Sequence, residues 1–506
     1  MNLLDAIASH AAARPDALAY RSPQGELTYR QLWEGAGRLA AALERRLGEN
    51  RAPLVVYGHK GPLVPLCFLA CVRSGRGYCP VDTSLPPERV ARTVEAADPP
   101  LVLAAEPLAD PCGRPVLAAA ELTALAEGGG PPVDLRPVEG EDLFYILFTS
   151  GSTGTPKGVQ ITADCLDHFL DWSSQLGEGF PAEAPRVFLN QAPFSFDLSV
   201  MDLYTAFYTG GTLWTLPKEV QQDAAALFSS LERSGAQVWV STPSFAEVCL
   251  ADRRFDSTLL PDMRLFLFCG ETLQNATAQK LHSRFPGAKV INTYGPTEST
   301  VAITQVEITP ALAAADEPLP VGAPKPGTWL FIAGPEGEDL PEGERGEIVI
   351  VGDTVSSGYF GRPDLTARAF GTRRVAGVEY RLYRTGDKGY LRGGQLHYCG
   401  RLDLQIKLHG YRIELEDIEQ NICRLPGVRG AVVLPQERDG TIRSLTAYVA
   451  ADWPGERGFA ASQRARGELA QFLPAYMIPK KFVFLDALPM TANGKVDRKA
   501  LGGLAR

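Results

Sequence analysis

Phe144-Tyr145-Ile146-Leu147 runs straight into Phe148-Thr149-Ser150-Gly151-Ser152-Thr153-Gly154-Thr155-Pro156-Lys157-Gly158. The apolar run reads as a buried strand bounded by turn residues. Behind it, glycines, hydroxyls and a lysine crowd into one loop. Glycine lets the backbone turn its N–H groups inward, and such a nest holds anionic oxygens. Ser and Thr hydroxyls add donors, and the lysine adds a point charge suited to phosphate. No glycine precedes Lys157, so the Walker pattern is not met and the segment reads as a phosphate loop of another kind. A plain surface turn is the alternative.

The same strand-then-polar-loop grammar recurs on either side. Leu54-Val55-Val56-Tyr57 leads to Gly58-His59-Lys60-Gly61, and Gln237-Val238-Trp239-Val240 to Ser241-Thr242-Pro243-Ser244. Leu265-Phe266-Leu267-Phe268 leads to Cys269-Gly270-Glu271, and Lys289-Val290-Ile291 to Asn292-Thr293-Tyr294-Gly295-Pro296-Thr297-Glu298. With helical patterns between them, these strands predict a mostly parallel α/β sheet whose ligands bind beyond the carboxyl ends. The first fifty residues read as helical, with Leu32, Leu39, Leu43 and Leu47 on one face. Glu106 to Asp142, rich in Pro, Gly and Ala, reads as a long surface excursion. From about residue 320, short strands punctuated by Gly and Pro predict a β-rich subdomain. A large domain over 1–400 and a smaller one over 401–506 follow from the change of texture near Gly400-Arg401-Leu402-Asp403.

At 506 residues the chain is long enough for more than one domain. A net charge of −9 gives no nucleic-acid footprint. Nine scattered cysteines without a CxxC pair predict free thiols in a reducing cytoplasm. Met1-Asn2-Leu3-Leu4-Asp5 lacks the basic start of a signal peptide, and Val64 to Val72 is too short to span a bilayer.

Within the Asn292 to Glu298 segment, a tyrosine can stack on a purine, an asparagine can read its exocyclic amine, and a glutamate can hold Mg²⁺ through oxygen. A turn with Tyr294 in the core is the alternative. Asp387, after Thr385-Gly386, is placed to accept from ribose hydroxyls. Asn493-Gly494-Lys495-Val496-Asp497-Arg498 is a basic segment in a polar tail, and a solvated turn is its plain reading. The acids of Gly410 to Glu419 and His409 read as solvent-facing and structural groups, not as metal ligands or bases.

In this order, these segments resemble the adenylate-forming superfamily over essentially the whole chain. The resemblance implies a multidomain α/β fold: a large N-terminal domain of two α/β subdomains plus a β-rich one, and a small mobile α+β C-terminal domain. Within the superfamily, Phe188 to Asp202, Ser241 to Glu247, Phe266 to Glu271 and Gly400 to Arg412 resemble the D-alanine:D-alanyl carrier protein ligases of the teichoic-acid pathway. The resemblance implies an enzyme that uses ATP and Mg²⁺ to make an aminoacyl adenylate and passes the acyl group to a phosphopantetheine thiol. Lys495 would bridge carboxylate and α-phosphate. Thr149, Ser150, Gly151, Ser152, Thr153, Gly154 and Lys157 would handle the β and γ phosphates. Asn292, Thr293, Tyr294, Gly295, Pro296 and Thr297 would line the nucleotide site, with Thr297 on the α-phosphate and Glu298 on Mg²⁺. Asp387 would take ribose, Tyr398 to Arg401 would approach from the hinge side, and the C-terminal domain would turn about Asp403.

By the same resemblance, Asp197 pairs with the substrate ammonium and Cys269 contributes to selecting the D enantiomer. A cation entering an apolar pocket needs a paired carboxylate. Helix capping before Leu198 to Met201 is the alternative role for Asp197. Bulky Phe196, Leu198, Met201 and Phe268, with Val301, leave room for a small side chain. No carrier motif follows Lys495, so the expected thiol partner is a separate carrier protein, or coenzyme A. Competing expectations are a stand-alone natural-product enzyme activating L-alanine, glycine or serine, one that uses an amine acceptor, and an acyl-CoA ligase. A buried Asp197 argues against the last.

Overall fold

Strand-forming runs of Val, Leu, Ile and Phe build the sheets, and almost every one of them ends in a polar segment. The computed structural model describes residues 1–128, 131, 133–149, 156–177, 186–408, 410–438, 441–453, 458–490 and 496–503. Contacts divide the chain into two units: Met1–Thr83, Val94–Phe148 and Gly158–Leu402 form the first, and Ser84–Thr93, Thr149–Lys157 and Asp403–Arg506 the second.

In the first unit, nine strands among the described residues form one sheet. Its order is Ala323–Pro324, Thr304–Glu307, Lys289–Tyr294, Leu265–Phe268, Val238–Ser241, Val187–Asn190, Thr212–Thr215, Leu18–Ser22 and Gly25–Thr28. The central six strands are parallel, with Phe268 opposite Asn292 and Trp239 opposite Leu189. Being buried on both faces, these strands are near-continuous apolar runs, as parallel sheets require. A second sheet has the order Val116–Ala118, Val102–Ala104, Leu54–Tyr57, Tyr78–Val81, Leu143–Thr149 and Lys157–Thr162. A third is antiparallel, built from Thr328–Ala333, Gly346–Gly352, Phe370–Val375, Val378–Arg392 and Gln395–Arg401.

In the first unit the fold corrects two expectations. The first fifty residues are not helical throughout: the antiparallel pair Leu18–Ser22 and Gly25–Thr28 separates Leu3–Ala13 from Tyr29–Leu47. The second helix starts at a capping box in which Thr28 and Gln31 satisfy each other's backbone N–H groups. Nor is 106–142 merely an excursion. Val116–Ala118 adds a parallel edge strand, and Ala119–Glu127 packs Leu122 into the core.

The second unit pairs Gln405–Leu408 with Tyr411–Glu414, and sets Leu415–Cys423 against a three-stranded sheet of Val428–Arg438, Thr441–Ala451 and Lys481–Leu485. Leu415, Ile418 and Ile422 are its buried helical face. The acids of this helix do not face solvent as expected. Asp417 is fully buried and paired with Arg89 at 2.8 Å, and Glu419 pairs with Arg498. Long polar side chains elsewhere in the same unit reach these carboxylates, a partnership that helical periodicity does not reveal. His409 lies outside the described residues.

Candidate functional site

The carboxyl ends of the parallel strands in the first unit carry the candidate residues. Val187–Asn190 exits through Gln191-Ala192-Pro193-Phe194-Ser195-Phe196 to Asp197, immediately before the helix Leu198–Thr209. Asp197 has helical backbone angles, and its side chain makes no capping hydrogen bond. Its Oδ2 accepts from the Thr297 hydroxyl at 2.6 Å, joining two loops a hundred residues apart. The side chain therefore does not cap this helix, and its carboxylate is turned toward the end of Lys289–Tyr294, three strands away in the sheet.

Leu198, Met201, Cys269 and Val301 belong to one buried cluster, with Phe196 packed against it. The Cys269 thiol donates to the Val301 carbonyl at 3.7 Å. Phe268 is not brought to this set. It is buried in a second cluster with Leu189, Trp239 and Phe266, because side chains alternate along a strand and Phe268 takes the face opposite Cys269.

Lys289–Tyr294 ends in the turn Gly295-Pro296 and the short 3-10 helix Thr297–Ser299. Gly295 is required by packing, since a Cβ there would meet Ala302 Cα at 2.5 Å. Thr300 and Val301 follow with φ of 59° and 70°. Two consecutive β-branched residues in the left-handed region cost about 1–3 kcal/mol each. The neighbourhood holds them there: Thr300 Oγ1 donates to Thr354 O at 2.8 Å, and Ala302 N to Thr300 O. Such strain at a pocket wall presents the Val301 carbonyl to Cys269.

The Tyr294 hydroxyl and the Asp387 carboxylate are already paired. The hydroxyl donates to Asp387 Oδ2 at 2.6 Å, while Arg401 Nη1 donates to Oδ1 at 2.7 Å. Burial, reinforced by the Asp387 charge, raises the Tyr294 pKa well above its usual range, so the phenol keeps its proton and donates. The ring is tilted 38° to Tyr398 with centroids 6.0 Å apart. Asn292 donates through Nδ2 to Pro320 O, while its buried Oδ1 has no hydrogen-bond partner in this structure. Thr293 Oγ1 donates to Phe268 O, a structural bond. Glu298 is fully buried, and Oε1 accepts from the Tyr359 hydroxyl at 2.7 Å. One buried carboxylate among oxygen donors suits a hard dication that takes its remaining ligands from phosphate and water.

Of the phosphate-loop residues, Thr149 and Lys157 are described. Thr149 Oγ1 donates to Lys157 O at 3.5 Å, and Lys157 Nζ pairs with Glu414 at 3.3 Å. Ser150, Gly151, Ser152, Thr153, Gly154 and Lys495 lie outside the described residues. Asp403 begins the C-terminal segment of the second unit, and its Oδ1 accepts from Gln405 N. No sequence pattern signals Tyr359 as a partner of Glu298 or Arg401 as a partner of Asp387, across separations of 61 and 14 residues.

A model of the AMP-binding enzyme family matches residues 7–360, and one of the AMP-binding enzyme C-terminal domain matches residues 417–495. The chain belongs to the AMP-binding enzyme family. It is similar to a D-alanine–D-alanyl carrier protein ligase of Bacillus licheniformis, 46% identical over 503 residues that cover 99% of each chain. A ligase of the same name from Bacillus velezensis is 46% identical over 505 residues, again covering 99% of each. Among solved structures, an NRPS protein containing adenylation and PCP domains has a TM-score of 0.83 at 28% identity, over 99% of this chain and 84% of that one. No helix among the described residues is long and apolar enough to cross a membrane.

Proposed function

We propose that this chain is an ATP-dependent, AMP-forming ligase that activates D-alanine and transfers it to the phosphopantetheine thiol of a separate carrier protein in the cytoplasm. The observation that carries the reading is the Asp197 carboxylate, which does not cap its helix and accepts from the Thr297 hydroxyl, directly before Leu198 of the buried apolar cluster. Asp197 takes the substrate ammonium, and Leu198, Met201, Cys269 and Val301 bound the methyl group. Full-length similarity to ligases named for D-alanine supports that choice of side chain and enantiomer.

In the first step the amino-acid carboxylate oxygen bonds to the α-phosphorus of ATP and pyrophosphate leaves. Catalysis here is positioning and charge stabilisation. Lys495 bridges the carboxylate and α-phosphate, the Thr149 to Lys157 segment holds the outer phosphates, and Thr297 contacts the α-phosphate. Tyr294, Asn292 and Tyr398 receive the base, Asp387 with Arg401 takes the ribose, and Glu298 holds Mg²⁺, which neutralises phosphate charge when bound. In the second step the thiol sulfur attacks the acyl carbon and AMP leaves. Lys495 is then withdrawn as the C-terminal domain turns about Asp403, a gating step of the kind many enzymes use.

Amino-acid-dependent ATP–pyrophosphate exchange with D-alanine, L-alanine, glycine, D-serine and a short fatty acid tests the reading. D-alanine is expected to give the highest kcat/KM. Preference for L-alanine, glycine or serine overturns the substrate assignment, and preference for the fatty acid overturns the role of Asp197.

A further inference from the structure

Lys60, three residues past the end of Leu54–Tyr57, has no part in the site described above, yet it is completely buried. Its ammonium reaches from the second sheet to the strand ends of the first. Nζ donates to Gln191 O at 2.9 Å, Leu216 O at 2.9 Å and Asn190 O at 3.3 Å. Those three acceptors cap Val187–Asn190 and Thr212–Thr215 at their carboxyl ends. A lysine has three N–H donors, and three carbonyls account for them.

Asn190 carries the network onward. Its Nδ2 donates to both oxygens of Asp202, at 3.0 and 3.1 Å, and to Ala192 O at 3.2 Å. Asn190 and Asp202 are also fully buried. Gln221 ties the same carbonyls from outside, donating to Gln191 O and Leu216 O. Behind Lys60, His59 Nε2 accepts from Lys218 N, so Nδ1 carries the proton that it gives to Asp82 at 2.7 Å.

We infer that Lys60, Asn190 and Asp202 are positioning residues for the amino-acid pocket, clamping both ends of the loop 191–197 so that Asp197 meets the substrate ammonium. The inference rests on the assignment of Asp197 given above. One end of the loop is held at Asn190, Gln191 and Ala192. The other end continues into Leu198–Thr209, where Asp202 sits little more than one turn beyond Asp197. Burial holds the Lys60 pKa down to about 7, and the Asp202 charge opposes that fall. Burial in turn raises the Asp202 pKa, with Lys60 opposing. Each charge is costly to bury alone, so the two groups depend on one another. A hydrophobic contact would hold the sheets together as well. Hydrogen bonds to three particular carbonyls fix where the loop begins, and small errors of placement at a reacting centre are expensive.

Lys60→Met, Asp202→Asn and the double variant test the clamp in the full-length chain, by pyrophosphate exchange at varied amino acid and varied ATP. Activity of the parent chain with any amino acid first separates this inference from the assignment of the site: a parent with no amino-acid-dependent exchange removes the assignment and the clamp together. With the parent active, Lys60→Met is expected to raise the amino-acid KM about tenfold or more while ATP KM stays within about twofold. Asp202→Asn keeps the volume and an acceptor for Asn190, and therefore keeps the test alive if Lys60→Met does not fold. It is expected to raise the amino-acid KM about three- to tenfold. The double variant should lose less than the product of the two single effects, since each partner's cost is largely the other's isolation. A lowered melting temperature with unchanged amino-acid KM, a parallel rise in both KM values, or effects that multiply would each overturn the inference.

Discussion

The proposed amino-acid end and the proposed nucleotide end of the site are built on opposite plans. At the proposed amino-acid end one carboxylate, Asp197, directly precedes Leu198, which shares a buried apolar cluster with Met201, Cys269 and Val301, and its hydrogen bond to Thr297 crosses to a different strand end. At the nucleotide end Asp387 is already engaged on both oxygens, by Tyr294 and Arg401, and Glu298 is held by Tyr359. A small cationic group is recognised by a charge presented in apolar surroundings, where it is strongest. A large polar ligand such as ATP exchanges hydrogen bonds with partners that already satisfy one another, and the buried carboxylates are stabilised in the meantime. On the proposed assignment the first plan serves selectivity, and the second keeps the buried carboxylates of Asp387 and Glu298 paired.

In the proposed mechanism Lys495 belongs to neither end, because its role there is to bridge the two substrates. Lys495→Ala is expected to lower the rate of adenylation by about 10²–10³-fold, with a smaller loss in thioester transfer from preformed adenylate. Quenched-flow measurement of each half-reaction checks this, and equal losses in both would contradict withdrawal of the lysine between steps. Asp197→Asn confines its damage to the amino-acid end: the KM for amino acid rises about 10–100-fold, while that for ATP stays unchanged. A parallel rise in both would dissolve the distinction between the ends. Tyr294→Phe acts on the other side, raising ATP KM about three- to tenfold with the amino-acid KM constant, as seen in steady-state exchange. Cys269→Ala is the finest probe. The ratio of kcat/KM for D- over L-alanine should fall about threefold, since a small buried thiol contributes shape more than charge.

Much of the architecture is legible in the order of residues. Alternating apolar strands and polar loops announce a parallel sheet with ligands at its carboxyl ends, because that architecture buries its strands on both faces and leaves function to the loops. Leu32, Leu39 and Leu43 are buried on one helical face as their spacing predicts. Short-range irregularity is harder to read. The pair Leu18–Ser22 and Gly25–Thr28 interrupts a stretch with helical texture, since strand pairing there is stabilised by a parallel neighbour, Thr212–Thr215, almost two hundred residues away. Phe268 reads as a pocket residue from its place beside Cys269, and the alternation of strand side chains sends it to the opposite core.

The succession of strands and loops, the chemistry concentrated at each loop, and membership of the family are all properties of the linear chain. They are local: hydrophobic period, turn residues and strings of neighbouring side chains. The partner that each charged side chain takes is settled by folding alone. Asp197 turns to Thr297 instead of its own helix, Asp417 is paired with Arg89, and Lys60 spans 130 residues to hold Asn190 and Gln191. A buried ion takes its energy from whatever the fold brings within about 3 Å, and no periodicity along the chain encodes which distant strand end that will be.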